Sequence, residues 1–241
     1  MIAAFGWGAL GAAALLVGAV VAYATRPSQR VIAVVMALGA GLLIGSVAFE
    51  LVEEALETST VGQVSLWVLL GALAFVVGDT LVERWGGGHR KDSTGAGRAG
   101  GGAALAIVLG SVLDGIPESY VLGLTVDGGV SPALLAGILL SNLPEGMASS
   151  AGLRASGWPL QRVVLMWSVV VVASGLAAMA GYATLQGGSG PTASVAQAFA
   201  AGALLTMLTD TLLPESYRVE GARTGLLVTI GFAGSFALSS L

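Results

Sequence analysis

The chain has 241 residues, of which 55% are hydrophobic and only 10% charged, and its formal net charge is −4. A soluble domain carries roughly 25% charged residues, so this composition excludes an ordinary water-soluble globular protein. The sequence contains no cysteine, which excludes disulfide bonds, thiolate metal ligands and a cysteine nucleophile.

Apolar runs alternate with short polar or Gly-rich breaks, and each run approaches the ~20 residues that cross a bilayer as a helix. Strands would instead need strict apolar–polar alternation and closure into a barrel. The first run starts without basic residues, which favours a transmembrane helix over the alternative of a signal peptide. One domain, residues 1–241, is predicted, with spans at 2–24, 31–56, 64–83, 103–125, 132–153, 163–185, 192–217 and 224–240.

The basic residues predict the orientation of these spans. All ten lie in or beside the first, third, fifth and seventh breaks, and the second, fourth and sixth breaks have none. By the positive-inside rule the odd breaks face the cytoplasm, so both termini lie outside. The longest break, residues 84–102, is predicted to be a flexible cytoplasmic loop. It contains His89, the only histidine of the chain, whose role the sequence leaves open.

Two pairs of segments resemble each other. Residues 37–56 read ALGAGLLIGSVAFELVEEAL and residues 198–217 read AFAAGALLTMLTDTLLPESY, with small residues early and acids late in both. Residues 113–119 read LDGIPES and residues 141–146 read SNLPEG. Under the predicted topology the members of each pair run antiparallel. We therefore predict an all-α polytopic membrane fold of eight transmembrane helices in a 3+2+3 inverted-repeat arrangement.

Several acidic residues lie far from any predicted helix end, namely Asp114, Glu118, Glu145 and Asp210. An ionisable group at bilayer depth costs at least ~2.5–3.5 kcal/mol and persists only if it is paired, protonated or beside a wet or ion-bearing cavity. No basic residue lies within any predicted span, so an ion pair inside the membrane is excluded. These acids therefore predict a site for a cation or a proton.

The spacing of these residues favours one shared site. Asp114 and Glu118 are four residues apart on one helix face, as are Ser141 and Glu145, and Asn142 is one turn before Glu145. Each Glu follows a proline, which cannot donate the helical hydrogen bond to the carbonyl four residues earlier. Two interrupted helices with carboxylates beside the free carbonyls are suited to holding a cation.

The motifs DGIPES and SNLPEG resemble the paired HNxPEG-type signatures of the ZIP (Zrt/Irt-like) zinc and iron transporters. The segments GAGLLIGSVAFELVEEALE and FAAGALLTMLTDTLLPES, in the second and seventh spans, resemble the same family. The resemblance covers nearly the whole chain. It implies eight helices with both termini outside, import of a divalent metal substrate by alternating access, residence in the cell membrane as a multi-pass protein, and a homodimer in the lipid bilayer.

The resemblance also implies the ligands. Glu118 and Glu145 match the two metal-binding glutamates of the motif, Asn142 matches a second ligand position, and Asp210 matches an acidic position of the seventh span. Asp114 and Ser141 stand where the family usually has histidine. The predicted site therefore contains only oxygen ligands, which suit manganese more than a histidine site does. Zinc remains the first choice on family grounds, with manganese or iron(II) next.

Three further acids, Glu50, Glu54 and Glu215, are predicted to lie along the path of the ion. No resident cofactor, nucleotide site or nucleic-acid partner is expected, and the absence of an HExxH motif argues against an enzyme. Two alternatives stay open. The carboxylates could carry protons with another solute, or the protein could be a metal sensor that does not transport.

Overall fold

A computed structural model describes residues 1–84, 101–185 and 190–239, and within these ranges the chain is helical, without strands. The helices are α1 (Ile2–Thr25), α2 (Gln29–Ser46), α3 (Glu53–Thr58), α4 (Val61–Arg84), α5 (Gly101–Leu124), α6 (Pro132–Ala155), α7 (Leu160–Leu185), α8 (Pro191–Met207), α9 (Leu213–Glu220) and α10 (Arg223–Ser239). Most of the predicted loop 84–102, including His89, lies outside the described residues.

Six helical stretches in the described ranges are long and apolar enough to cross a membrane: Ile2–Thr25, Gln29–Thr58, Val61–Val82, Ile107–Leu124, Leu160–Leu185 and Thr192–Glu220. This helical content and apolarity fit a multi-pass membrane protein. The two other predicted spans are also helical. α6 is long but carries polar residues in its middle, and α10 is apolar but has only 17 residues.

Two of the long stretches contain a π-helical segment near their last third. The first π-helical segment, Val47–Val52, joins α2 to α3, and the second, Leu208–Leu212, joins α8 to α9. Both segments lie in the pair of sequence stretches that resemble each other, and each contains an acid, Glu50 or Asp210. A π-helical turn widens the helix by one residue and is frequent at functional sites.

Glycines allow the helices to pack closely in pairs. α1 packs on α6 through Gly18 and Gly146, and α2 packs on α10 through Gly41 and Gly231. At each of these glycines a Cβ atom would collide with the backbone of the neighbouring helix. The pairs α5–α7 and α4–α8 pack in the same way. Such contacts between small residues are the usual means by which helices associate in lipid.

Hydrogen bonds join the helix ends at two opposite ends of the bundle. At the Arg30 end, Arg30 pairs with Glu220 at 3.0 Å, and Arg154 donates to the last carbonyls of α1, Ala22 and Tyr23. At the Glu50 end, the hydroxyl of Ser131 donates to Glu50 at 2.5 Å, and that of Ser194 donates to the carbonyl of Ala55 at 2.7 Å. Among the described helix ends, those beside residues 26–28, 156–159 and 221–222 therefore lie at the Arg30 end, and those beside residues 59–60 and 125–131 lie at the Glu50 end.

Candidate cation site

Helices α5 and α6 supply the polar side chains in the middle of the bundle. Each contains one internal proline, Pro117 or Pro144, directly before its glutamate. Pro144 cannot donate to the carbonyl of Leu140. The backbone around that carbonyl instead lies against Gly39 of α2, where a Cβ atom would come within 2.9 Å of the Leu140 oxygen. The small residue lets α2 approach α6 at the point where the proline interrupts its hydrogen bonds.

Glu118 is buried, with 3% of its surface exposed, and its carboxylate accepts hydrogen bonds from two residues of α6. The Ser141 hydroxyl donates to Oε1 at 2.8 Å, and the Asn142 amide donates to Oε2 at 3.3 Å. The same amide nitrogen donates to the carbonyl of Gly11 in α1 at 3.2 Å. Three helices meet at this carboxylate.

Glu145 is half-buried and accepts a hydrogen bond from the opposite helix. The hydroxyl of Ser111, in α5, donates to Oε1 of Glu145 at 2.5 Å. The two glutamates are thus held in a reciprocal manner, since a serine of α6 binds the glutamate of α5 and a serine of α5 binds the glutamate of α6. Bonds from a neutral donor to a carboxylate are short and about twice as strong as neutral pairs.

Asp114 and Glu145 both lie close enough to Glu118 for their negative charges to repel it. Asp114 is half-buried, and Gly115 beside it is buried against Ser174 of α7. The sequence has no Lys, Arg or His between residues 99 and 153. Three carboxyl groups in one interior region favour the uptake of positive charge there, as a cation or as a proton.

The ligands that an ion would find here are mixed in type. In the parts of the chain that the structure describes, no three Asp, Glu, His or Cys side chains are arranged to hold one metal ion. A cation bound between α5 and α6 therefore needs hydroxyl, amide or backbone oxygens beside the carboxylates. Oxygen ligands of this kind suit Mg²⁺, Ca²⁺ and Mn²⁺, and Zn²⁺ also accepts carboxylates.

Asp210 lies in a different place, on the second π-helical segment. With Asp79 of α4 it lines a cavity of about 380 Å³ between α4 and α8, together with Phe75, Val76, Thr80, Thr206 and Thr209. Asp79 is 8% exposed, whereas Asp210 is exposed. Neither Glu118 nor Glu145 lines this cavity. The structure therefore groups Asp210 with Asp79, and the other five predicted ligands lie on α5 and α6.

The three predicted path residues occupy the ends of the bundle. Glu50 is half-buried and accepts hydrogen bonds from Ser131 and Ser239, which come from the start of α6 and the end of α10. Glu54 is exposed on α3 at the same end. Glu215, at the Arg30 end, lies 3.9 Å from Arg218, which is three residues later on the same helix, and forms a weak ion pair with it.

Comparison with known proteins adds no family assignment, since no protein-family model matches the chain and no curated protein is significantly similar to it.

Ser111 is a residue of the site that the sequence motifs did not single out. It lies three residues before Asp114 and seven before Glu118, which places all three on one face of α5. That spacing was the available signal. A serine in an apolar helix usually donates to its own backbone, and only the structure shows that this one reaches across to Glu145.

Proposed function

We propose that this protein is a divalent metal cation transporter of the ZIP type, which moves the ion through a carboxylate site between α5 and α6. The observation that carries the proposal is the pair of glutamates, Glu118 and Glu145, in the bundle interior, each held by a serine of the opposite helix. The one basic residue of these two helices, Arg154, lies in the last turn of α6 and donates to carbonyl groups of α1. A bound cation would neutralise the glutamates.

The proposed topology has eight transmembrane helices, with both termini outside and the Arg30 end in the cytoplasm. What supports it is the alternation of helix ends between the Arg30 end and the Glu50 end. Arg30, Arg154 and Arg223 lie at the starts or ends of helices at the Arg30 end. The positive-inside rule requires such basic residues at a cytoplasmic face.

The proposed 3+2+3 inverted repeat also has support in the packing. In the proposed repeat, the second span corresponds to the seventh and the third span to the eighth. The packed pair α2–α10 (second and eighth spans) therefore corresponds to the packed pair α8–α4 (seventh and third spans). Gly41 and Gly202 occupy matching positions in the two similar stretches, and each lies against the partner helix of its pair. Both stretches also change to π-helix at the matching residues, Val47 and Leu208.

The substrate that we propose is zinc, with manganese or iron(II) next, and the direction is import into the cytoplasm across the cell membrane. These assignments rest on the resemblance of the DGIPES and SNLPEG motifs to the ZIP signatures. The oxygen-only chemistry of Glu118, Glu145, Asp114 and Asn142 favours manganese more than a histidine-containing site would. A homodimer in the bilayer follows from the same resemblance.

A second candidate is a transporter in which the carboxylates carry protons together with another solute. The observation that favours it is that, within residues 1–84, 101–185 and 190–239, no three acids or histidines are arranged around one metal position. A carboxyl group between hydroxyl and amide groups is also able to take up and release a proton. A proton carrier predicts uptake that follows a pH gradient without any metal.

The experiment that tests the proposal is uptake by the purified full-length chain in liposomes. Zinc, manganese, iron(II) and cadmium are supplied one at a time, with and without a pH gradient. Saturable metal uptake that empty liposomes lack supports the metal transporter. Absence of uptake for all four ions, combined with proton movement coupled to another solute, supports the second candidate instead.

The topology has its own test, which uses the absence of cysteine from the chain. Thr58→Cys and Asp127→Cys, both exposed near the Glu50 end, should react with a membrane-impermeant thiol reagent in intact cells. Pro159→Cys, exposed near the Arg30 end, should react only after the membrane is permeabilised. Reaction of Pro159→Cys in intact cells would contradict the proposed orientation.

A further inference from the structure

The hydrogen bond from Ser111 to Glu145 differs from the usual contact of a hydroxyl in an apolar helix, which stays within that helix. Ser168 in α7, Thr184 in α7 and Thr206 in α8 each donate to the carbonyl four residues earlier, which is the usual contact of a hydroxyl inside a helix. Ser111 is buried, with 6% of its surface exposed, and its hydroxyl instead crosses to α6 at 2.5 Å. Its side chain is therefore committed to one carboxylate oxygen.

This contact fixes the orientation of the Glu145 carboxylate. The long side chain of a glutamate has three rotatable bonds, and ordering it costs conformational entropy when a ligand binds. A donor on Oε1 restrains the carboxylate before an ion binds and so lowers that cost. Residues that hold metal ligands in this way typically change metal affinity by about 10- to 100-fold when they are replaced.

We propose that Ser111 is a positioning residue of the cation site, which orients Glu145 for the ion and so sets the affinity without serving as a ligand. This inference rests on the proposed function. Ser141 stands in the same relation to Glu118, which also accepts a hydrogen bond from Asn142.

The test compares Ser111→Ala, Ser111→Thr and Ser111→Cys in liposomes loaded with the purified chain, with Mn²⁺ alone and Zn²⁺ alone as the ions. Ser111→Ala should raise the half-saturating metal concentration by about 10- to 100-fold and leave the maximal rate nearly unchanged. Ser111→Thr retains the hydroxyl and should restore the wild-type value. The thiol of Ser111→Cys is a weaker donor and should give an intermediate value.

The matched control is Ser168→Ala, a half-buried serine whose hydroxyl contacts only its own helix, and it should not change the half-saturating concentration. A double-mutant comparison separates positioning from packing. The comparison measures Mn²⁺ binding to the purified chain, which does not require transport. In the Glu145→Gln background, Ser111→Ala should weaken binding little further, because the group that it orients has lost its charge.

The outcomes separate this inference from the proposed function. If Glu145→Gln abolishes uptake while Ser111→Ala transports with wild-type affinity, Ser111 has no positioning role and the proposed function stands. If Glu145→Gln transports normally, the cation site itself is misplaced. If Ser111→Ala does not insert into the membrane, the test compares the half-saturating metal concentrations of the wild type, Ser111→Thr and Ser111→Cys. Equal values for all three would overturn the inference.

Discussion

Two regions of this bundle contain acidic side chains, and they differ in how hydroxyl groups are used. Between α5 and α6, serine hydroxyls cross from one helix to the glutamate of the other, and Glu118 is almost fully buried. Between α4 and α8, the hydroxyls of Thr80, Thr206 and Thr209 donate to their own helix carbonyls and line an open cavity with Asp79 and Asp210.

This difference suggests different tasks for the two regions. Donors that are fixed on a carboxylate before an ion arrives reduce the cost of binding, as expected for a selective site. The threonine hydroxyls beside the cavity donate to their own helices, so they do not fix the orientation of a carboxylate there. We therefore expect the α5–α6 region to set affinity and selectivity, and the α4–α8 cavity to affect mainly the rate of passage.

The largest effect is expected at the centre. Glu118→Gln with Glu145→Gln keeps size and removes two charges, and metal uptake should fall by at least ~100-fold, since a direct ligand matters more than the groups that orient it. Folding should survive, because Gln has nearly the size of Glu and its amide oxygen can still accept the serine hydrogen bond. Uptake in liposomes measures the first and detergent-solubilised melting the second. Normal uptake by the double variant would show that the ion does not bind between α5 and α6.

A smaller change, in selectivity, is expected at Asp114. This half-buried acid lies near Glu118 and stands where the resembled family has histidine. Asp114→His supplies an imidazole nitrogen, which zinc prefers more strongly than manganese does. The ratio of zinc to manganese uptake should rise by roughly tenfold, which corresponds to ~1.4 kcal/mol. Competition between the two ions in one liposome preparation measures the ratio, with Asp114→Asn as the control that removes charge without adding a nitrogen ligand.

A fall in rate without a change in affinity is expected in the cavity. Asp210 is exposed, so Asp210→Asn should lower the maximal rate by a few-fold, since the interaction of an ion with one solvated charge is about 1 kcal/mol. The half-saturating concentration should stay near that of the wild type. A large rise in that concentration, comparable to the effect of Glu145→Gln, would remove the distinction between the two regions.

The sequence predicted the helices well because its signal is strong there. Runs of about 20 apolar residues have one stable form in lipid, and the observed helix ends lie within one turn of the predicted ones. The acids of α5 and α6 could also be identified, since a Pro-Glu step within an apolar run is conspicuous. The partner of Ser111, the π-helical segments and the grouping of Asp210 with Asp79 could not be predicted, because each depends on how different helices pack.

The smallest effect is expected at the Glu50 end. Glu54 is exposed on α3, and its charge acts on an ion only by raising the local cation concentration. Glu54→Gln should therefore reduce uptake by about twofold at low ionic strength, and the difference should vanish near 0.15 M salt, where the Debye length is about 8 Å. Glu54→Asp retains the charge and should match the wild type at every salt concentration. The central double variant should instead remain inactive whatever the salt, because buried charges are screened much less than exposed ones. A salt-insensitive loss at Glu54 would place a binding step at this end and weaken the contrast between a selective centre and unselective outer regions.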